Sequence, residues 1–289
     1  MLRFIVLLIA ILASPLARAD ITCRDTDLRI AVIPKKSMDA LVKDYAPLLR
    51  HLSKHLDMPV EIIRAGSYDA VTDAIVSGGV DIAWLGPAGY LTAHLRDPGV
   101  EPFANLVLEK GAYTPAGNHY QALLVVRADT GAKTLKDLAG QRVALNDPLS
   151  TSGSILPNRA FPAAVGLSLS EFFESQVYTG SHDRSLDALL NQRVDAAFVA
   201  SVRADDYVKQ EKMAPDALRV LWRSEPIYYD PFVFSPLVCP ALKNRIRHLM
   251  LNESSALEGF YKSQQATGLM PASHNDYAPL IPLMGRIAK

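Results

Sequence analysis

The sequence predicts an α/β protein of two lobes, each built on an open, mostly parallel sheet, with the chain crossing between them twice. Three observations predict it. Strand-like apolar runs alternate with segments whose apolar residues recur at helical spacing. That alternation comes as two series, separated by the polar stretch Lys110 to His119. The chain of 289 residues also exceeds what a single core commonly organises.

In the first series, Leu28 to Ile33 is an apolar strand. Met38, Leu41, Val42, Tyr45, Leu48, Leu49, Leu52 and Leu56 then fall on one helix face. Val60 to Ile63 is a second strand, and Ser67 caps a helix that runs to Val76 and stops at Gly78-Gly79. Asp81 to Leu85 is a third strand, and Gly86-Pro87 opens a helix with proline near its first position. Tyr120 to Arg127 begins the second series as a Leu- and Val-rich strand. Strand Arg142 to Leu145, a helix from Ser152, strand Gln176 to Tyr178, a helix from His182, strand Asp195 to Val199 and a helix from Ser201 follow. Leu218 to Trp222 and Phe232 to Ser235 are strands, and helices fill Ala241 to Leu251 and Glu253 to Ser263. Residues 20–115 and 225–289 are therefore expected to form lobe 1, and 116–224 lobe 2. The crossings fall near 111–120 and 222–228. Ligands of such sheets bind beyond the carboxyl ends of the strands. The loops 34–37, 64–68, 85–90, 146–152, 179–183 and 228–231 should thus face one cleft.

Residues 1–19 read as a secretory leader: Arg3, an apolar run from Phe4 to Leu12 too short to span a bilayer, and an Ala17-Arg18-Ala19 cleavage site. No cysteine follows the site directly, so there is no lipid-attachment signal. The precursor carries 30 basic and 30 acidic side chains; without Arg3 and Arg18, 28 basic face 30 acidic, a mature charge of −2. Such a balance offers no field for nucleic acid and no polybasic run for anionic lipid. Two cysteines in an exported chain point to one bond, Cys23 to Cys239, with two separate buried thiols as the alternative. His51 and His55 lie at i, i+4, but no third ligand accompanies them, so they read as a solvated helix face and no metal is expected. No cofactor is called for. The mature protein is expected to be periplasmic and monomeric.

The chemistry concentrates in two places. Asn146-Asp147-Pro148-Leu149-Ser150-Thr151-Ser152-Gly153 and Thr179-Gly180-Ser181-His182-Asp183 each follow a strand and open a helix. Consecutive hydroxyls at a helix start set O–H donors beside unpaired N–H groups and a positive dipole end, a receptor for a small tetrahedral anion. An isolated Ser or Thr there does no more than cap; three in a row exceed what a cap requires. Gly153 is expected to let the backbone approach the anion.

The chain resembles the periplasmic substrate-binding proteins of phosphonate and phosphite ABC transporters. The resemblance rests on Gly66-Ser67-Tyr68, Val80-Asp81-Ile82-Ala83-Trp84-Leu85-Gly86, Asp147 through Gly153, Gly180-Ser181-His182-Asp183, Val194-Asp195-Ala196-Ala197, and Trp222 through Ile227 followed by Asp230-Pro231. These motifs keep the family's order across nearly the whole mature chain. The resemblance implies a Venus-flytrap fold that closes on its ligand. It implies that Ser150, Thr151 and Ser152 hold the oxyanion, that Tyr68 and Tyr120 reach the same group, that His182 donates to it, and that Asp230 stands on the ligand's distal side. Family members that bind aminoalkylphosphonates carry a second acid after the V-D-x-A strand. Val202 stands in that place here, with Asp205 and Asp206 further on. A ligand amine is therefore not expected, which leaves phosphite, phosphate, hypophosphite or a small phosphonate. The partner implied is an ABC permease.

Other readings stay open at the level of residues. Tyr68 and Tyr120 could be packing or hinge residues, His182 a surface residue, and Asp230 a turn residue before Pro231. In an anion pocket, Asp230 would accept from a protonated ligand and reject sulfate. Trp84 could wall the pocket or sit in the core, and Lys35 and Lys36 read as a solvated pair. A subunit that docks on a sensor kinase is the alternative to transport. No catalytic residue is expected, because no G-x-S-x-G elbow or third triad member accompanies Ser150, Ser152 and His182.

Overall fold

The computed structural model describes residues 26–285. The expected leader, and Cys23 with it, lie outside them. Among the described residues no helix is long and apolar enough to cross a membrane.

Two sheets organise the chain. The first contains β1 (Leu28–Val32), β2 (Val60–Ile63), β3 (Ile82–Trp84), β4 (Glu101–Leu108), β12 (Phe232–Phe234) and β13 (Ala266–Pro271), in the order β13-β4-β12-β3-β1-β2. The second contains β6 (Ala122–Arg127), β7 (Arg142–Leu145), β8 (Ser175–Tyr178), β9 (Ala196–Ala200) and β10 (Leu218–Arg223), in the order β10-β6-β9-β7-β8. Two short strands, β5 (His119–Tyr120) and β11 (Ile227–Tyr228), pair antiparallel where the chain passes between the sheets.

Each sheet repeats one plan. β1 runs parallel to β2 and β3, and β7 runs parallel to β8 and β9. One reversed strand is inserted next: β12 is antiparallel to β3 and β4, and β6 is antiparallel to β9 and β10. The reversal has a simple cause. β6 and β12 enter their sheets directly from the crossings, on the cleft side, where the carboxyl ends of their neighbours point. The parallel strands therefore keep their common direction, and the pairings across the inserted strand are antiparallel. The edge strand β13 is a second reversal in the first sheet.

Period-2 alternation divides each sheet into two apolar faces. In lobe 1, Ile30, Val32, Ile82, Trp84 and Phe232 face α1 (Met38–Leu56) and the C-terminal helices α9 (Pro240–Leu251) and α10 (Glu258–Gln264). Ala31, Ile33, Ala83, Leu85 and Val233 face α2 (Tyr68–Val76) and α3 (Pro87–Arg96). In lobe 2, Leu123, Val125, Ala197 and Val199 face α7 (His182–Leu190) and α8 (Ser201–Lys209). Leu124, Val143, Leu145 and Phe198 pack on Phe161 and Phe172 beside the single-turn helices α4 (Leu156–Arg159), α5 (Pro162–Val165) and α6 (Leu169–Phe172).

Two expectations about helices change. The helix expected from Ser152 begins as a π-turn, Thr151–Ile155, before α4. His51 is buried rather than solvated, with Nε2 3.4 Å from Glu253 Oε2. The ligating atoms of His51, His55 and Glu253 lie within 4.8 Å of one another. The third group comes from the segment after α9, where helical spacing could not reveal it. Cys239 is the buried N-cap of α9 and is disulfide-bonded.

Candidate functional site: a cavity between the lobes

The loops that leave the sheets toward the cleft build the site. In lobe 2 the turn after β7 is shaped by its own side chains. Asp147 Oδ1 accepts from the Leu149 N–H at 2.9 Å, and Ser150 Oγ accepts from the Gly153 N–H at 3.1 Å. The Ser150 carbonyl takes the N–H groups of both Ser154 and Ile155, which widens the first turn into the π form. A side chain at Gly153 would run into the Asn146 amide. Gly153 thus clears space for Asn146.

Asn146 in turn fixes the histidine. Its Nδ2 lies 2.7 Å from His182 Nδ1 and donates to the Phe198 carbonyl at 3.2 Å, while its Oδ1 accepts from Ser185 Oγ at 2.5 Å. The Ala200 N–H donates to His182 Nδ1 at 3.1 Å. A nitrogen that accepts from a backbone N–H carries no proton, so the ring proton sits on Nε2, 3.3 Å from Ser150 Oγ. Burial, with Arg203 and Lys35 nearby, pushes the His182 pKa down to about 3. His182 is therefore a neutral, oriented Nε2–H donor.

Lobe 1 supplies Tyr68, the first residue of α2 after the Ser67 cap. Its backbone N–H donates across the cleft to Asp147 Oδ2 at 3.2 Å, and its buried hydroxyl makes no hydrogen bond. α3 has Gly86 as N-cap and no cap side chain of its own; Thr151 Oγ1 of lobe 2 takes the Ala88 N–H at 2.9 Å instead. From the crossings come Tyr120, edge-on to Tyr229 with ring centroids 5.4 Å apart, and Asp230. Burial raises the pKa of Tyr68, Tyr120 and Tyr229 well above the ordinary phenol value, so all three keep their protons.

Tyr68, Tyr120, Ser150, Thr151, Ser152, His182 and Asp230 all line one small cavity of ≈ 20 Å³. Lys35, Val202, Arg203 and Tyr229 line it too, and a second cavity of ≈ 20 Å³ adjoins beside Lys36, Asp205 and Asp206.

The charges here differ from expectation. Lys35 and Lys36 are 4% and 7% exposed rather than solvated. Lys36 pairs with Asp44 and lies 3.8 Å from Asp206. Lys35 Nζ lies 3.9 Å from Asp230 Oδ2, donates to the Tyr229 hydroxyl at 3.2 Å, and sits 3.6 Å over the Trp84 ring. Trp84 itself is core: fully buried, stacked on Phe232, with Nε1 donating to the Asp230 carbonyl at 2.7 Å. Arg203, which the sequence reading passed over, is buried between Asp183 (2.6 Å) and Asp206 (2.7 Å). Its only signal was its place, two residues into the helix that follows β9.

Two α/β lobes thus enclose between them a compact cavity lined by uncharged donors together with Lys35, Arg203 and Asp230. Residues 30–277 match the family described as ABC transporter, phosphonate, periplasmic substrate-binding protein, and the chain belongs to that family. It is 27% identical over 268 residues to the phosphate-import protein PhnD of Mycolicibacterium smegmatis, covering 86% of this chain and 82% of that one. It is 28% identical over 232 residues to the phosphonates-binding periplasmic protein of Escherichia coli K12, covering 78% and 65%. PhnD1 of Prochlorococcus marinus, solved in complex with methylphosphonate, superposes with a TM-score of 0.79 at 19% identity, covering 90% of this chain and 97% of that one.

Proposed function

We propose that this substrate-binding protein captures a small phosphorus oxyanion, namely phosphite, phosphate or a small phosphonate, by closing its lobes on it, and delivers it to an ABC permease. One observation carries the reading. The hydroxyls of Ser150, Thr151, Ser152, Tyr68 and Tyr120 and the Nε2–H of His182 converge on one small cavity. Directed donors with little competing water suit a compact tetrahedral anion. The names of the relatives, a phosphate importer and a phosphonate binder, agree with that class. No observation favours docking on a sensor kinase.

In this reading, lobe 1 is 20–115 with 225–289 and lobe 2 is 116–224; the hinge is the β5–β11 ribbon. Residues 1–19 direct export to the periplasm, Cys23 pairs with Cys239, and the mature protein acts as a monomer. A thermal-shift screen of the mature protein tests the function. Phosphite, phosphate, hypophosphite or methylphosphonate should raise the unfolding midpoint, because a ligand that binds only the folded state stabilises it. Sulfate should not. No shift with any phosphorus anion would overturn the reading.

A further inference from the structure

Lys35 lines the cavity, but its ammonium is turned onto protein groups. It is nearly fully buried, and its ammonium is enclosed by three groups of one kind: the Trp84 ring face at 3.6 Å, the Tyr229 hydroxyl at 3.2 Å and the Asp230 carboxylate at 3.9 Å. An aromatic face, a phenol oxygen and a carboxylate together form a receptor for an ammonium ion. Asp230 is also the one acid on the cavity wall among the described residues. The other buried cation there, Arg203, is held by Asp183 and Asp206 and leaves Asp230 to Lys35.

We propose that Lys35 is the residue that sets ligand class: its own ammonium fills the cation site formed by Asp230, Tyr229 and Trp84, so the cavity takes phosphorus anions without an amine and excludes aminoalkylphosphonates. This rests on the oxyanion reading of the same cavity. A ligand amine entering that cavity would find its only carboxylate already neutralised and would meet a like charge, an arrangement that discriminates by repulsion as well as by fit. Val202, which lines the same cavity, offers an amine no charge, and in the adjoining cavity Asp206 is held by Arg203 and Lys36 while Asp205 Oδ1 takes the Tyr113 N–H. Burial lowers the Lys35 pKa and raises that of Asp230, while each charge opposes the other's shift. Removing either partner would therefore strand the other in a medium that disfavours its charge.

The test is calorimetric titration of the mature wild type and of Lys35→Ala with methylphosphonate and with 2-aminoethylphosphonate, with and without methylammonium chloride. The wild type should bind methylphosphonate and take 2-aminoethylphosphonate at least about a hundredfold more weakly. In Lys35→Ala the preference should invert, the amine of the ligand replacing the lost ammonium, and methylammonium should restore part of the methylphosphonate affinity. Lys35→Ala combined with Asp230→Asn, which leaves no charge to neutralise, should bind methylphosphonate and not the amine. It also serves if the single variant fails to fold. A Lys35→Ala protein that loses both ligands in proportion, with no effect of methylammonium, would overturn the proposal, as would a double variant that prefers the amine. A wild type that binds neither compound would overturn the functional reading instead.

Discussion

The start of α2 in lobe 1 and the start of α7 in lobe 2 follow one plan. Gly66-Ser67-Tyr68-Asp69 lies fourteen residues ahead of Val80-Asp81-Ile82-Ala83, and Gly180-Ser181-His182-Asp183 lies fourteen ahead of Val194-Asp195-Ala196-Ala197. Each serine caps its helix, through the N–H of Ala70 at 3.1 Å and of Arg184 at 3.3 Å. Each strand aspartate takes an N–H from the neighbouring strand, Arg29 at 2.8 Å and Arg142 at 3.0 Å. What differs is the residue aimed at the cleft. His182 is fixed on its inner side by Asn146 and Ala200, whereas the hydroxyl of Tyr68 is buried without a partner. The loops after the first strands differ as well: lobe 2 offers Ser150 to Ser152, lobe 1 the buried Lys35. In the proposed reading lobe 2 presents oriented donors, and lobe 1 adds the Tyr68 hydroxyl and the Lys35–Asp230 pair when the lobes meet.

That contrast breaks most severely at Gly153. Gly153→Ala should displace Asn146, cost about 1–3 kcal/mol of stability by overpacking, and loosen His182 enough to weaken anion binding. Denaturant melts and titration calorimetry read both effects. A variant with wild-type stability and affinity would show that the Asn146 brace is dispensable. Ser152→Ala comes next. Loss of one hydrogen bond to a charged ligand is worth about 1.5–3 kcal/mol, or roughly ten- to a hundredfold in Kd, with the melting temperature nearly unchanged. Unchanged affinity would remove Ser152 from the site.

How much of this was legible beforehand depends on the range of the interaction. The βα alternation, the cap at Ser67 and the hydroxyl run Ser150 to Ser152 show in local pattern, because helix starts after strands are short-range events; Tyr68, Tyr120, His182 and Asp230 come only from the family resemblance, since each taken alone reads equally as a packing, surface or turn residue. The order of the strands does not, since β6 and β12 find their places only after the chain has crossed between lobes. Lys35 looks solvated in sequence because nothing near it in the chain predicts Asp230, Tyr229 and Trp84 around its ammonium. Asn146 opens the motif, yet an uncharged amide whose work is to hold another side chain gives no signal of its own. The partnership of His51 with Glu253 is hidden for the same reason.

His182 also sharpens the contrast through pH. Its folded pKa of about 3 lies below the ordinary 6.5, so the unfolded chain takes up the proton first as pH falls. Stability contributed by the neutral ring is complete above about pH 6.5 and is lost progressively toward pH 3. Melting temperatures of wild type and His182→Gln across that range should converge as the pH drops; parallel curves would contradict the assignment. The smallest effect is expected at the cross-cleft cap. Thr151→Val removes the acceptor for the Ala88 N–H and should weaken the closed form by about 0.5–2 kcal/mol, read as a faster ligand off-rate in stopped flow. No change in off-rate would mean that Thr151 does not hold the lobes together.

The central claim is that lobe 2 holds the anion and lobe 1 closes over it. A crystal structure of the mature protein with methylphosphonate tests this most directly. The phosphoryl oxygens should lie within hydrogen-bond reach of Ser150, Ser152, His182 Nε2 and the Tyr68 hydroxyl, with Lys35 still on Asp230. An anion in the adjoining cavity, against Lys36 and Gln264 and away from His182, would contradict the account.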